Sequence, residues 1–177
     1  MKAPETIQTE RLLLRKPRMD DALVIFESYA QDPEVTRYLI WRPHKHVGET
    51  EDFLRRCLGV WEKGTNFPYA LTLKENDQLI GMLEIHTKWF KLEIGYGMAR
   101  AHWGKGYMTE ALHAVIDWAF TQPDIFRVQA ICDVDNIGST RVMEKAGMEC
   151  EGLLRRYVLH PNISDEPRDA YLYAIVK

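Results

Sequence analysis

Two glycines one residue apart, Gly104 and Gly106, separate a stretch of strand character from a stretch of helical period. This junction constrains the fold more than any other part of the chain. On its N-terminal side, Leu92-Glu93-Ile94-Gly95-Tyr96-Gly97-Met98 reads as a strand. On its C-terminal side, Ala111, Leu112, Val115, Ile116, Ala119 and Phe120 recur at helical spacing. A glycine loop between strand and helix leaves the first helical amides without intrahelical partners, and the helix dipole adds positive potential there. The junction therefore reads as an anion cradle, and equally as a tight turn with a glycine cap. Two familiar nucleotide fingerprints are excluded. Thr109 stands where Gly-x-Gly-x-x-Gly needs its last glycine, and Lys105 is followed by Gly106 rather than Ser or Thr.

The anion must be met locally, because the formal net charge is −3 and no broad basic field invites nucleic acid. Loop amides, Arg100, Lys105, Arg141 and Lys145 are the candidates. A length of 177 residues suits one domain, residues 1–177. Cys57, Cys132 and Cys150 are odd in number and unpaired in spacing, and read as reduced, mostly packed thiols. Met1 to Glu10 lacks an apolar signal core, and no apolar run reaches membrane-spanning length. These features predict a cytoplasmic protein without a membrane partner.

In chain order, Ile7 to Arg15 predicts a first strand ended by Pro17. Asp20-Asp21 open a helix with Leu23, Phe26 and Ala30 on its apolar face. Pro33 starts a short helix with Tyr38, Leu39 and Trp41 on its apolar side, and Arg42 to Gly48 is a loop. Glu49 to Lys63 is helical through Phe53, Leu54, Cys57, Leu58 and Trp61, with Gly64 as its cap. Tyr69–Leu73, Leu79–His86 and the strand before the glycine loop are joined by short turns, which predicts antiparallel pairing. Arg127 to Val134 is a strand reached by a crossover, and a helix runs from Asn136 to Gly147. Glu151-Gly152 precede a strand ending near Leu159, His160 to Pro167 is a loop, and Ala170 to Val176 is the last strand. The pattern is that of one mixed α/β domain. Trp41, Trp61, Tyr69 and Trp89 are expected in core or pocket wall. His44-x-His46 reads as a solvated loop, not a metal site.

With the pieces in this order, the chain resembles a GNAT-superfamily N-acyltransferase of the RimJ/RimL type. The resemblance rests on Thr9-Glu10-Arg11-Leu12-Leu13-Leu14-Arg15, Glu93-Ile94-Gly95-Tyr96 and Trp103-Gly104-Lys105-Gly106-Tyr107 with Glu110-Ala111. It continues through Asn136-Ile137-Gly138-Ser139, Lys145-Ala146-Gly147-Met148 and Glu151-Gly152. It implies an α/β (α+β) fold, a curved, mixed, mostly antiparallel sheet flanked by helices. It also implies acetyl-CoA as co-substrate, no metal, and a primary amine as partner, in a monomer or homodimer. Against the family's Gln/Arg-x-x-Gly-x-Gly/Ala loop, Trp103 stands at the first position, Gly106 at the middle glycine and Met108 at the last. Trp103, Gly104, Lys105, Gly106, Tyr107, Met108 and Thr109 are thereby assigned to the pyrophosphate. Tyr96, Gly97 and Met98 are assigned to the pantetheine arm, on a strand expected to splay from its neighbour. Asn136, Ser139 and Met143 complete the cofactor contacts.

Acetyl transfer needs a neutral amine and a proton for the departing thiolate. Neutralising an α-amine of pKa about 8 at pH 7 costs about 1.4 kcal/mol, whereas a lysine amine near 10.4 costs about 4.6 kcal/mol. Glu93, which in many relatives of this kind is a catalytic glutamate, is the first candidate for the base. Glu84 and Asp169 are its rivals, and each reads equally as a structural carboxylate. The tyrosine that many members use as acid is replaced by Met143, which cannot donate a proton. Ser139 is the hydroxyl that remains at the helix start, with a backbone-capping role as its alternative. Asn136 reads as a helix cap and as a cofactor or substrate contact. The acceptor is a protein N-terminal α-amine of the ribosomal-protein kind, or a small-molecule amine such as a polyamine, an aminoglycoside or an amino-acid derivative. A CoA-binding module without turnover is the non-enzymatic alternative.

Overall fold

The computed structural model describes residues 2–177. Eight strands form one sheet: β1 (Thr6–Gln8), β2 (Leu12–Arg15), β3 (Asn66–Leu73), β4 (Leu79–Lys88), β5 (Lys91–Met98), β6 (Arg127–Asp133), β7 (Glu149–Val158) and β8 (Arg168–Val176). Their order across the sheet is β1-β2-β3-β4-β5-β6-β8-β7. Every pairing is antiparallel except β5 with β6, which the crossover makes parallel. The mixed, mostly antiparallel sheet and the three-strand meander β3–β4–β5 are as expected from the short turns between them.

The helices α1 (Asp21–Ile25), α2 (Pro33–Thr36), α3 (Val47–Lys63), α4 (Tyr107–Thr121) and α5 (Ile137–Lys145) cover the sheet. α4 buries Met108, Ala111, Leu112, Val115, Ile116 and Ala119, the stripe expected from its period. Together with Leu92, Ile94, Val128 and Ala130 from β5 and β6, these residues belong to one core cluster. A second cluster gathers Ile25, Tyr29, Leu54, Cys57 and Met82 around α1, α3 and β4. Gly64 ends α3 at φ +66°, donating its N–H to the Trp61 carbonyl, as its place after the apolar run requires. Cys57 and Cys132 are buried, Cys150 is exposed, and all three are free thiols. None of the described helices is long and apolar enough to cross a membrane.

Several expectations need correction. The stretch Ile7 to Arg15 is not one strand but the hairpin β1–β2, because Thr9 Oγ1 and the Thr9 N–H both bind Leu12 and fold the chain back. The helix from Asp21 buries Ala22, Ile25, Tyr29 and Ala30, while Leu23 is exposed. A π-helical turn over Phe26–Ala30 continues it, and Ala22, Ile25 and Tyr29 are still spaced as one helical face, so the apolar side lies one residue before Leu23. α2 stops at Thr36, so Tyr38, Leu39 and Trp41 are not its apolar side but stand in a wall beyond it. β7 begins at Glu149 and runs through Gly152, with irregular register near Gly152 and again between Leu154 and Val158. Arg156 there adopts φ +47° and gives its N–H to Asp169. Trp61 and Tyr69 are core residues as expected, whereas Trp89 tips the β4–β5 hairpin and is 94% exposed.

Candidate active site

The site begins where a ladder stops. β5 and β6 pair only at Lys91 with Arg127, Leu92 with Val128 and Glu93 with Gln129, although β5 continues to Met98 and β6 to Asp133. Beyond Glu93 the two strands diverge, and a cavity of about 740 Å³ opens between them. Gly95, Tyr96, Gly97 and Met98 line it from β5, and Asn136, Gly138 and Ser139 from the start of α5. The splayed strand that the resemblance implies is therefore present.

Gly81 on β4 lets the end of β5 approach closely. A Cβ there would fall 2.5 Å from the Gly97 carbonyl oxygen and 2.9 Å from the Met98 Cα. Neither backbone atom can move without moving β5.

At one end of the cavity lies the glycine loop. Gly104 and Gly106 take φ +74° and +80°, and α4 starts directly after Gly106 without a side-chain cap. Uncapped amides at the head of a fifteen-residue helix fit the phosphate groups of a nucleotide-bearing cofactor. Trp103, Gly104 and Met108 line the cavity, while Lys105, Gly106, Tyr107 and Thr109 follow on the loop and first turn outside the lining. The Trp103 indole donates to the Met98 carbonyl at 2.7 Å, tying the loop to the end of β5.

A brace that local sequence patterns did not reveal holds this loop from β1 and β2. The Glu110 carboxylate accepts from the Thr9 hydroxyl, from the Arg11 N–H at 2.9 Å and from Arg11 Nε at 2.6 Å. Arg11 also reaches the Lys105 carbonyl at 3.1 Å and lies over the Tyr107 ring at 4.6 Å. Burial pushes the Glu110 carboxyl up, but the bonds from Thr9 and Arg11 outweigh it and leave the group below its ordinary value. Replacing Glu110 by Ala leaves three donors unmatched and frees the loop. We expect a stability loss of about 1–3 kcal/mol and roughly tenfold weaker CoA binding, measured by thermal melting and titration calorimetry.

Asn136 and Ser139 divide their expected roles. The Asn136 side chain caps α5 by accepting the Ser139 N–H at 3.1 Å. The Ser139 hydroxyl is thereby free for another partner, and it meets the Tyr96 hydroxyl at 2.7 Å. This pair spans the gap between β5 and α5. Burial raises the Tyr96 phenol well above its ordinary value, with the Ser139 bond opposing, so both hydroxyls stay protonated at neutral pH. Met143 needs correction as a cofactor contact. It is fully buried in the core cluster and does not line the cavity, whereas its neighbour Val142 does.

On the face of the sheet carrying α1 and α3, Glu84, His86 and Glu93 line the floor. Glu93 holds Lys88 Nζ at 3.1 Å and Gln129 Nε2 at 3.2 Å. Glu84 accepts from Asn66 at 3.4 Å and lies 3.5 Å from His86 Nε2. Asp169, the third candidate, does not reach the cavity; it binds the Arg156 N–H in the β7–β8 ladder. The wall above the floor carries Trp41, His44 and Phe53, with the Trp41 and His44 rings 4.8 Å apart. Asn162, from the β7–β8 loop, pins this wall by donating to the Thr36 and Trp41 carbonyls at 2.7 and 2.8 Å.

Known proteins are similar to this chain in architecture and in sequence. The acetyltransferase (GNAT) domain family matches residues 11–149. The uncharacterized N-acetyltransferase p20 of Bacillus licheniformis is 33% identical over 98% of this chain and 97% of its own length. The acetyltransferase (GNAT family) structure from Bacillus anthracis superposes with a TM-score of 0.84 at 31% identity, covering 97% of this chain and 98% of that one. The [ribosomal protein uS5]-alanine N-acetyltransferase of Escherichia coli is 25% identical over 96% of this chain and 89% of that protein. Interrupted strand pairing, uncapped glycine loop and sequence kinship agree: the chain belongs to the GNAT acetyltransferase family and is an acetyl-CoA-dependent N-acetyltransferase.

Proposed function

We propose that the chain acetylates the α-amine of a polypeptide by direct transfer in a ternary complex, the donor threading the gap between β5 and β6. The acceptor enters over the floor formed by Glu84, His86 and Glu93. The observation that carries the choice of amine is the engagement of both floor carboxylates by protein partners, Asn66 and His86 for Glu84, Lys88 and Gln129 for Glu93. Carboxylates so occupied attract and orient an ammonium group through their charge. They suit an amine whose proton leaves at about 1.4 kcal/mol better than one that needs about 4.6 kcal/mol. The full-length likeness to an enzyme named for a ribosomal-protein alanine supports the same acceptor class.

A second reading, a small polycationic amine, is favoured by the acidic residues Glu34, Glu84 and Glu93 along the cavity. Thiol release from acetyl-CoA with alanyl- and seryl-led octapeptides against spermidine separates the two. We expect the better peptide to exceed spermidine in kcat/KM by about tenfold or more. The reverse ranking assigns the enzyme to metabolite amines.

On the donor side, the nitrogen attacks the thioester carbonyl, and the departing thiolate takes a proton from the Ser139 hydroxyl within its pair with Tyr96. Ser139→Ala is expected to lower kcat by about a hundredfold with little change in either KM. A loss under about threefold would assign thiolate protonation to solvent.

A further inference from the structure

His160 follows β7 at the acceptor side of the cavity, and the transfer described above makes no use of it. Its side chain is 5% exposed and lines the cavity, edge-on to the Tyr38 ring at 6.2 Å. Neither Nδ1 nor Nε2 has a hydrogen-bond partner. Buried polar atoms are almost always paired, so an unpaired imidazole in a cavity wall is a group whose partner comes from the cavity.

The charged and polar groups around it are few. Asp133, at the end of β6, places Oδ2 3.7 Å from Nε2, beyond hydrogen-bond reach. That carboxylate is already held by Arg168 of β8, through Nε at 2.6 Å and Nη2 at 3.0 Å, and by the Asp135 N–H at 3.0 Å. Asp135 itself is held by Arg168 at 2.6 Å. The Tyr38 hydroxyl is turned to the Asp135 carbonyl. The Leu39 carbonyl favours the protonated ring without reaching hydrogen-bond geometry. Burial lowers the imidazole below its ordinary value; Asp133 and Leu39 oppose that, Arg168 adds to it, and the net shift is downward. At neutral pH the ring is thus an uncharged base in the cavity wall, with both nitrogens buried and neither hydrogen-bonded.

We propose that His160 accepts the proton of the acceptor ammonium. The inference rests on reading the cavity as an amine-acetylation site. Glu84 and Glu93 draw the ammonium in, and one of its protons passes to an unpaired nitrogen of the imidazole as the ring turns toward the cavity. The released nitrogen lone pair forms the C–N bond as the C–S bond breaks. The nitrogen's second proton replaces the one that Ser139 hands to sulfur. The imidazolium formed beside Asp133 then loses its proton to solvent, so amide, thiol and one proton are the balanced products. A neutral imidazole suits this task because its affinity for a proton lies closer to that of an α-amine than a carboxylate's does.

The test is kcat against pH from 5 to 9 with saturating acetyl-CoA and peptide, for wild type, His160→Gln, Glu93→Gln and Glu84→Gln. His160→Gln should lower kcat by about a hundredfold and abolish the acidic limb, with CoA affinity unchanged. The two carboxylate variants should keep the limb and raise the KM of the peptide. A wild-type limb and turnover in His160→Gln overturns the proposal, as does loss of the limb in Glu93→Gln instead. Should His160→Gln fail to fold, the His160 Cε1–H resonance of wild type decides: its titration midpoint must move when an N-acetylated product peptide is bound, and an unmoved midpoint refutes the idea. Absence of thiol release with every amine, while acetyl-CoA still binds, would sink the acetylation reading and this inference together. A normal rate in His160→Gln with active wild type sinks the inference alone.

Discussion

Arg168→Met should lower the melting temperature by about 10 °C, the largest stability effect expected from any single side chain here. The Asp133 carboxylate is completely buried and Arg168 answers both of its oxygens. Removing the guanidinium strands a charge in a dry environment, for which losses of about 3–5 kcal/mol are typical, and each kcal/mol is worth about 2–4 °C at this chain length. The pH dependence carries a sign that a packing defect would not. In the wild type, burial pushes the Asp133 carboxyl up, but the Arg168 bonds, the Asp135 N–H and the nearby positive charges bring it below its ordinary value. Its contribution is therefore complete above the unfolded value of about 3.9 and fades only as pH falls through the lower folded one. In Arg168→Met, burial stands without its main counterweight and the folded carboxyl rises. The gap to wild type should then narrow as pH falls from 7 to 5, and Asp133→Asn added to Arg168→Met should recover part of the loss. Thermal melts of the three proteins at both pH values check this.

Gly81→Ala is the second large effect, and it reaches function through the backbone. The new methyl carbon meets the Gly97 carbonyl and the Met98 Cα, so the clash is relieved only by displacing β5. Overpacking of this kind costs about 1–3 kcal/mol. The displaced segment is the one that faces the donor, so the KM for acetyl-CoA should rise about tenfold or more. Gly59→Ala is the matched control. It lies within α3 with nothing within 4 Å of the added carbon, and should be neutral or slightly stabilising. Equal effects from the two substitutions would remove the case for close contact between β4 and β5.

Elements whose signal is local were legible in the sequence. The α4 stripe, the Gly64 cap, the meander β3–β5 and the crossover to β6 all follow from period and punctuation. Features that depend on a distant partner were not. The face that the first helix buries runs through Ala22 and Ile25 rather than Leu23, because α3 and β4 pack on that side, and composition gives no warning of it. The Thr9–Arg11–Glu110 brace joins positions about a hundred residues apart, so its members read as unrelated polar residues. The same holds for the candidate site. Gly104, Gly106, Tyr96 and Ser139 stand out in the sequence, but that the two hydroxyls touch depends on where α5 lands beside β5. His160 carries no local signal, because its surroundings come from β6, β8 and the wall after α2. Met143 holds a motif position, whereas its helix turns it into the core.

The three registered pairs between β5 and β6 have a mechanical meaning. They join two plates, β1 to β5 on one side and β6, β8 and β7 on the other, and the plates part like an open book from Glu93 onward. The Tyr96–Ser139 contact is a clasp across that opening, and the Asn162 bonds to the wall after α2 are another. A donor lying in the gap is then a structural member as well as a reactant, supplying backbone-like bonds where the sheet lacks a strand. With the donor at its proposed place, the enzyme without it is expected to be the looser object, and amide exchange along β5 and β6 should slow when CoA binds.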